Sequence, residues 1–325
     1  MKQLAVMAMS VWLCVLAAGC GPGEQDGKTR VAVIPKGTTH VYWKSVHAGA
    51  VKAAREVDVE IIWQGPLKED DRRMQIDVVQ NFISRQVDGI VLAPLDEQAL
   101  VRPVQTAVAQ GIPVVIIDSS LRADVETSFV ATDNYRGGKM AAERLAEVMG
   151  DGGRVIMLRY QEGSASTTKR EQGFLNGIKE YAPTVELIST NQYGGATAES
   201  AFQASQNLLT RFSDVDGIFC PNESTTFGML RALKTAGKAG RVPFVGFDSS
   251  EPLVQALRNK EIDGLVVQNP LRMGYLGVKT LVRALRGEKV ESRIDTGATV
   301  VTPENMDRPD IQQLISPDLD TWLDE

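Results

Sequence analysis

Little in this chain is equipped for covalent chemistry. Its 325 residues include only two histidines and three cysteines. No G-x-x-x-x-G-K loop, G-x-S-x-G elbow, H-E-x-x-H or C-x-x-C occurs, so the common routes to phosphoryl, acyl and metal-assisted transfer find no support. His40 and His47 lie close together with no evident carboxylate partner in the sequence; His47 reads as a helix-surface residue. Cys14, Cys20 and Cys220 form no disulfide framework. Basic residues are outnumbered, 35 Lys and Arg against 41 Asp and Glu, and the net charge of −6 is spread along the chain. A nucleic-acid partner is thereby disfavoured, because phosphate binding needs a basic patch. Polar low-complexity tracts are also missing.

What is present is ordinary for a folded protein: 43% hydrophobic and 23% charged residues, in a chain long enough for two domains. Lys2 and the apolar run Leu4 to Ala18 predict a signal peptide over residues 1–19, since the run is short for a membrane span. It ends Leu16-Ala17-Ala18-Gly19-Cys20. This resembles the bacterial lipobox, in which the cysteine is lipidated, although Ala17 stands where Leu is usual. An ordinary signal peptide cut near Ala18 and a retained transmembrane helix are the alternatives. Residues 20–28, with GPGEQDGK, read as a lipid-anchored tether. Cys220, after Ile218-Phe219, is expected to be a small buried apolar residue rather than a nucleophile.

Apolar strands and amphipathic helices alternate along the chain. Strands are predicted at Val31–Ile34, Val59–Trp63, Val87–Ala93, Ile112–Asp118 and Phe129–Thr132, with a helix containing Val46, Ala50, Ala53 and Ala54 and others at Asp70–Arg85 and Asp96–Gln110. Pro103 implies a kink or late start in the last of these. The rhythm restarts after Asp133-Asn134, a helix-capping pair. Helices Tyr135–Met149, Ala165–Tyr181, Ala196–Arg211, Glu223–Ala236 and Glu251–Asn259 alternate with strands Arg154–Leu158, Val185–Thr190, Gly217–Cys220, Val242–Phe247 and Ile262–Gln268. Helix Leu271–Arg286 and strand Ala298–Val301 follow. Nearly continuous apolar strands such as IPVVIID belong in parallel sheets covered on both faces. The fold class is therefore α/β, with two interleaved doubly wound parallel-sheet lobes. The chain is expected to cross between them near Thr132 and near Gln268, forming a multi-strand hinge. Residues 29–132 plus 269–297 are assigned to lobe 1, and 133–268 plus 298–325 to lobe 2.

Ligands of open α/β sheets bind at the carboxyl ends of the strands, and polar residues collect there. Lys36, His40, Tyr42 and Trp43 follow the first strand in a loop read as Lys36 to Trp43, and Asp118 closes the fourth. Thr132 marks the first crossing. In the second half Asn222, Asp248 and Gln268 end strands, and Arg170 precedes Gly173-Phe174. Taken singly, Asn222, Asp133 and Asp248 are equally well helix caps or turn residues, Arg170 a solvated helix residue, and Tyr42 and Trp43 caps on the core. Together they form a ring of carboxylates, amides and a guanidinium around aromatic faces. Such a ring suits a polyol, whose hydroxyls both donate and accept and whose C–H faces pack on aromatic rings.

The series VAVIPKGTTHVYWKSVHAGA, IVLAPLDEQAL, GIPVVIIDSS, VATDNYRGGKMAAE, Arg170-x-x-Gly173-Phe174, IFCPNESTTFGMLRALKTAGK, VPFVGFDSS and VVQNP resembles the type I periplasmic sugar-binding proteins of ABC importers, in the ribose-binding group. The similarity covers nearly all of residues 30–303. It implies ligand contacts at Tyr42, Trp43, Asp118, Arg170, Asn222, Asp248 and Gln268, with Tyr193 near the place of a further aromatic. Three positions depart from the ribose pattern: His40 where Asn is usual, Ala93 before Pro94, and Ser119 where Arg often stands. The Ile34-Pro35-Lys36 run also resembles the binding proteins for the furanosyl autoinducer, whose Asp-Gln pair is not reproduced in KREQG.

Two other classes remain to be weighed. The lobes resemble lac-repressor-type effector domains, but an export signal stands where their DNA-binding helices would be. Asp118 and Asp248 could in principle form a glycosidase pair, yet both match ligand-holding positions of a non-catalytic family. The expectation is a non-enzymatic, exported capture protein, without cofactor or metal, acting as a monomer held by lipid on Cys20. It would close on a sugar and deliver it to an ABC permease. The alternative is a furanosyl autoinducer or a sugar acid or phosphate, serving signalling or chemotaxis and contacted by Lys36 and His40.

Overall fold

Burial on both faces decides the architecture at β1 (Arg30–Ile34). Ala32 and Ile34 pack into one apolar cluster, while Val31 and Val33 pack into another on the opposite side. Side chains alternate across a strand, so the apolar run Val31–Ile34 demands a covering layer on each face. The computed structural model describes residues 27–150 and 152–323, and the expected signal peptide and Cys20 lie outside them.

After β1 come α1 (Val41–Val57), β2 (Glu60–Trp63), α2 (Arg72–Ser84), β3 (Gly89–Leu92), α3 (Val101–Ala109), β4 (Val114–Ile117) and β5 (Ser128–Ala131). The chain then builds α4 (Asn134–Met149), β6 (Arg154–Arg159), α5 (Ala165–Tyr181), β7 (Glu186–Tyr193), α6 (Ala198–Arg211), β8 (Gly217–Phe219), α7 (Glu223–Thr235), β9 (Phe244–Phe247), α8 (Glu251–Arg258) and β10 (Gly264–Gln268). It ends with α9 (Pro270–Leu285), β11 (Arg293–Asp295), β12 (Ala298–Val301) and α10 (Pro309–Ile315).

Two six-stranded sheets result, ordered β11-β5-β4-β3-β1-β2 and β12-β10-β9-β8-β6-β7. Neighbouring strands are parallel except β12, which runs antiparallel to β10. Sheet membership changes between β5 and β6, between β10 and β11, and again between β11 and β12. Strand β11 and helix α10 are not evident in the sequence, being short and weakly periodic. Asp96 does not start a helix: its Oδ1 accepts from the N–H groups of Gln98 and Ala99, and α3 starts late, with Pro103 in its first turn.

Helix α5 sits almost in contact with α4. A Cβ on Gly173 would be driven into the Tyr135 carbonyl, and one on Gly138 into that of Arg170. Phe174 then stacks on Phe219 at 4.2 Å. This approach fixes the helix that carries Arg170. At the C-terminus, Ile311 and Ile315 join the second sheet's core, while Trp322 lies beside Lys52 and Arg55 of α1 and Arg55 Nη1 donates to the Thr321 carbonyl. The tail therefore spans both lobes. No described helix is long and apolar enough to cross a membrane.

Candidate functional site

The carboxyl ends of the two sheets face each other, and corresponding carboxylates end β4 and β9. Asp118 and Asp248 both have left-handed backbones, with φ of 63° and 67°. Such conformations are uncommon outside glycine and concentrate at functional sites. Both side chains line a cavity with Lys36, His40, Tyr42, Arg170, Asn222 and Gln268. Eight of the eleven ligand-site residues expected from the sequence thus meet in one place, though they are drawn from positions 36 to 268 of the chain.

Each cation in this cavity faces a carboxylate. Lys36 Nζ is 2.7 Å from Asp118 Oδ2 and also donates to Ser166 Oγ at 3.2 Å. Asp118 Oδ1 accepts from the Tyr42 hydroxyl at 2.9 Å. Burial pushes the Tyr42 phenol up, and the Asp118 carboxylate adds to the shift. Arg170 lies with its guanidinium 4.0 Å from the centre of the Phe247 ring. Its Nε donates to Asn134 Oδ1 at 2.7 Å and its Nη1 to the Pro221 carbonyl at 2.9 Å, with Asp248 Oδ2 at 3.7 Å. Asp248 Oδ1 accepts from Gln268 Nε2 at 2.7 Å. Burial raises the Asp248 carboxyl to about 6, against the opposing pull of Arg170. His40 Nδ1 lies 3.3 Å from Glu223 Oε2 and 3.6 Å from Glu69 Oε1.

Three expected residues are placed elsewhere. The helix α1 begins at Val41, so Tyr42 and Trp43 sit in its first turn rather than in a loop. Consecutive helical residues point in different directions. Tyr42 turns to the cavity, whereas Trp43, 2% exposed, enters the core and donates its Nε1 to Glu69 Oε1 at 2.7 Å. Thr132 donates to the Gly297 carbonyl at 3.2 Å and meets Thr296 Oγ1 at 3.3 Å, which places it between hinge segments. Tyr193 is 42% exposed and lies under Arg159 in an outer cleft with Arg72, Asp96 and Glu97. Asn222 lines the cavity while also capping α7, its Oδ1 accepting from Thr225 Oγ1 at 2.6 Å. His47, expected on a helix surface, stacks on Trp63 at 4.4 Å.

The cavity also contains Glu69, Tyr160, Ser164, Ser166, Thr167 and Glu223, which sequence reasoning passed over. Glu69 follows β2, Tyr160 follows β6 and Glu223 opens α7, so the strand-end rule reaches all three. The rule alone would have found them; short polar residues in common loop composition carried no further signal. Among the described residues no cluster of His, Cys, Asp and Glu is arranged to hold a metal ion.

A profile of the periplasmic binding protein domain matches residues 31–289. The chain belongs to that family. Within it, this binding protein is 28% identical over 302 residues to the ribose import binding protein RbsB of Haemophilus influenzae, covering 93% of this chain and 100% of that one. A solute-binding protein of a carbohydrate transporter from Agrobacterium radiobacter, solved with D-arabinose, superposes with a TM-score of 0.85 at 34% identity, covering 89% of this chain and 99% of that one. An ABC transporter solute-binding protein from Agrobacterium vitis with bound D-fucose gives a TM-score of 0.84 at 36% identity, over 88% and 99% of the two chains. The two-sheet α/β architecture expected from the sequence is that of type I periplasmic binding proteins, a family of exported substrate-binding proteins.

Proposed function

We propose that this protein captures a neutral monosaccharide or related polyol between its two lobes and, once closed, presents it as a monomer to the permease of an ABC importer. The observation that carries the reading is the pairing of charges in the cavity. Lys36 faces Asp118, Arg170 faces Asp248, and His40 faces Glu69 and Glu223. An anionic ligand would meet three cations already matched by four carboxylates, so the sugar acid, sugar phosphate and phosphate readings lose their motive. Hydroxyls suit the same set, because each can donate to a carboxylate and accept from a cation or amide. The rings of Tyr42 and Tyr160 supply the apolar faces. Gln268 Oε1 is buried without a donor, and a ligand hydroxyl provides one.

The void among these side chains is about 30 Å³, room for one or two waters. A sugar therefore enters when the lobes part, and the side chains then exchange contacts with one another for contacts with it. The carboxylates Asp118 and Asp248 hold the ligand in this reading and perform no hydrolysis. The amino-terminal segment exports the chain, and Cys20 anchors it by lipid; the mass of the mature envelope protein tests that step.

A thermal-shift screen against D-ribose, D-arabinose, D-allose, D-fucose and matched sugar acids and phosphates tests the ligand class. A neutral sugar at a hundred times its Kd stabilises the protein by about 2.7 kcal/mol. A shift produced only by the anionic compounds would overturn the reading, as would turnover of a glycoside.

A further inference from the structure

One set of contacts that joins the lobes at the cavity rim converges on an imidazole. His40 lies between β1 and α1 on the first lobe. One neighbour of its Nδ1, Glu69, belongs to the same lobe, and the other, Glu223, opens α7 on the second, at 3.6 and 3.3 Å. Glu69 is itself fixed across the cleft: Tyr160 of the second lobe donates its hydroxyl to Glu69 Oε2 at 2.8 Å, and Gln161 Nε2 donates to the Glu69 carbonyl at 2.9 Å. Closing the lobes thus brings Glu223 to a nitrogen that already has Glu69 beside it, with Asp248 as a third negative group nearby. The remaining cations of the cavity, Lys36 and Arg170, are engaged by Asp118 and Asp248. His40 is the cation placed beside both Glu69 and Glu223.

We propose that His40 acts as a cationic latch, bridging Glu69 and Glu223 across the closed cleft, so that ligand capture takes up a proton. This deepens the sugar-capture reading and rests on it only for lobe closure. A neutral imidazole can donate Nδ1–H to one carboxylate but leaves the pair's charge uncompensated in a partly buried site. The resemblance to the ribose-binding pattern implies an amide at this position, which carries no such charge. Consistent with the geometry, the Glu223 hydrogen bond raises His40 to about 9, against desolvation and with help from the Glu69 charge. A raised basic pKa in the closed form favours closure fully below the imidazole's ordinary value of 6.5, and the advantage is lost as pH rises through about 9. Asp248 changes protonation near 6, so the interval from pH 7 to 9 isolates His40.

The test does not require the ligand to be known. Ser119 Oγ accepts from the Ser166 N–H at 3.0 Å across the lobes, so a Ser119→Cys/Ser166→Cys pair can be joined to hold the cleft shut. NMR titration then follows His40, distinguished from His47 by a His40→Asn variant. The oxidised, shut protein is expected to titrate at least one pH unit above the reduced protein, and Glu223→Gln should abolish that difference. Equal midpoints in the two forms, or a shut-form midpoint below 7, would overturn the latch. On the wild-type chain, calorimetry with the sugar giving the largest thermal shift, in buffers of different ionisation enthalpy at pH 8, should show proton uptake and at least tenfold weaker binding at pH 9 than at pH 7. Sugar binding with neither effect refutes the latch while leaving sugar capture standing. Failure of every sugar with the His40 shift intact does the reverse.

Discussion

At the scale of the residue, Arg170 and Asp248 show why the cavity is exacting. Both are buried, and each depends on partners that come from several elements: Asn134, Pro221 and Phe247 for the arginine, Gln268 and the Glu223 N–H for the carboxylate. Arg170→Ala removes the cation facing a buried carboxylate, a change of about 3 kcal/mol or more in comparable sites. Calorimetry should show sugar affinity falling by at least a hundredfold with a cooperative melt retained. Asp248→Asn tests the acid side of the pH profile. Because burial raises this carboxyl to about 6, its ionisation weakens the closed form as pH climbs from about 4 through 6. The amide variant should lose that part of the pH dependence, read as the melting temperature of the unliganded protein between pH 4 and 7.

At the scale of the element, the site is held by helix approach and strand exit. Gly173 lets α5 press on α4, and that contact aims Arg170 at the cavity. Gly173→Ala would force the helices apart at a cost of about 1–3 kcal/mol. The expected result is a lower melting temperature together with weakened binding, whereas Gly27→Ala, with open space around it and no left-handed φ, should move neither. Asn222 has a double position, lining the cavity and capping α7 through Thr225. Asn222→Asp keeps an acceptor for the cap but loses the Nδ2 donation to Ser224 Oγ and adds a buried carboxylate to the cavity that holds Asp248, so sugar affinity and melting temperature at pH 7 should both fall. These elements were legible before the fold was known, since strand and helix positions follow from local periodicity. The first turn of α1 was not: a polar, aromatic stretch reads as loop until the helix begins at Val41, and then Tyr42 and Trp43 part company.

At the scale of the molecule, the lobes are joined by the hinge passages and by the C-terminal tail. Its helix α10 packs in the second lobe and Trp322 beside Lys52 and Arg55 in the first. Trp322→Ala should release that end, and small-angle scattering should record a larger radius of gyration for the unliganded protein. An unchanged radius would make the tail a passive extension. The sequence by itself determined the β-α rhythm, the burial of strands on both faces, and the polar residues at their carboxyl ends, because these depend on spacing within a few residues. Only the tertiary structure decided which strand ends meet and which charges cancel. Lys36 with Asp118, and His40 with Glu223, are pairings between segments far apart in the chain. No local pattern encodes them; the first exists because β1 and β4 end at the same edge of one sheet, the second because the two sheets bring their edges together.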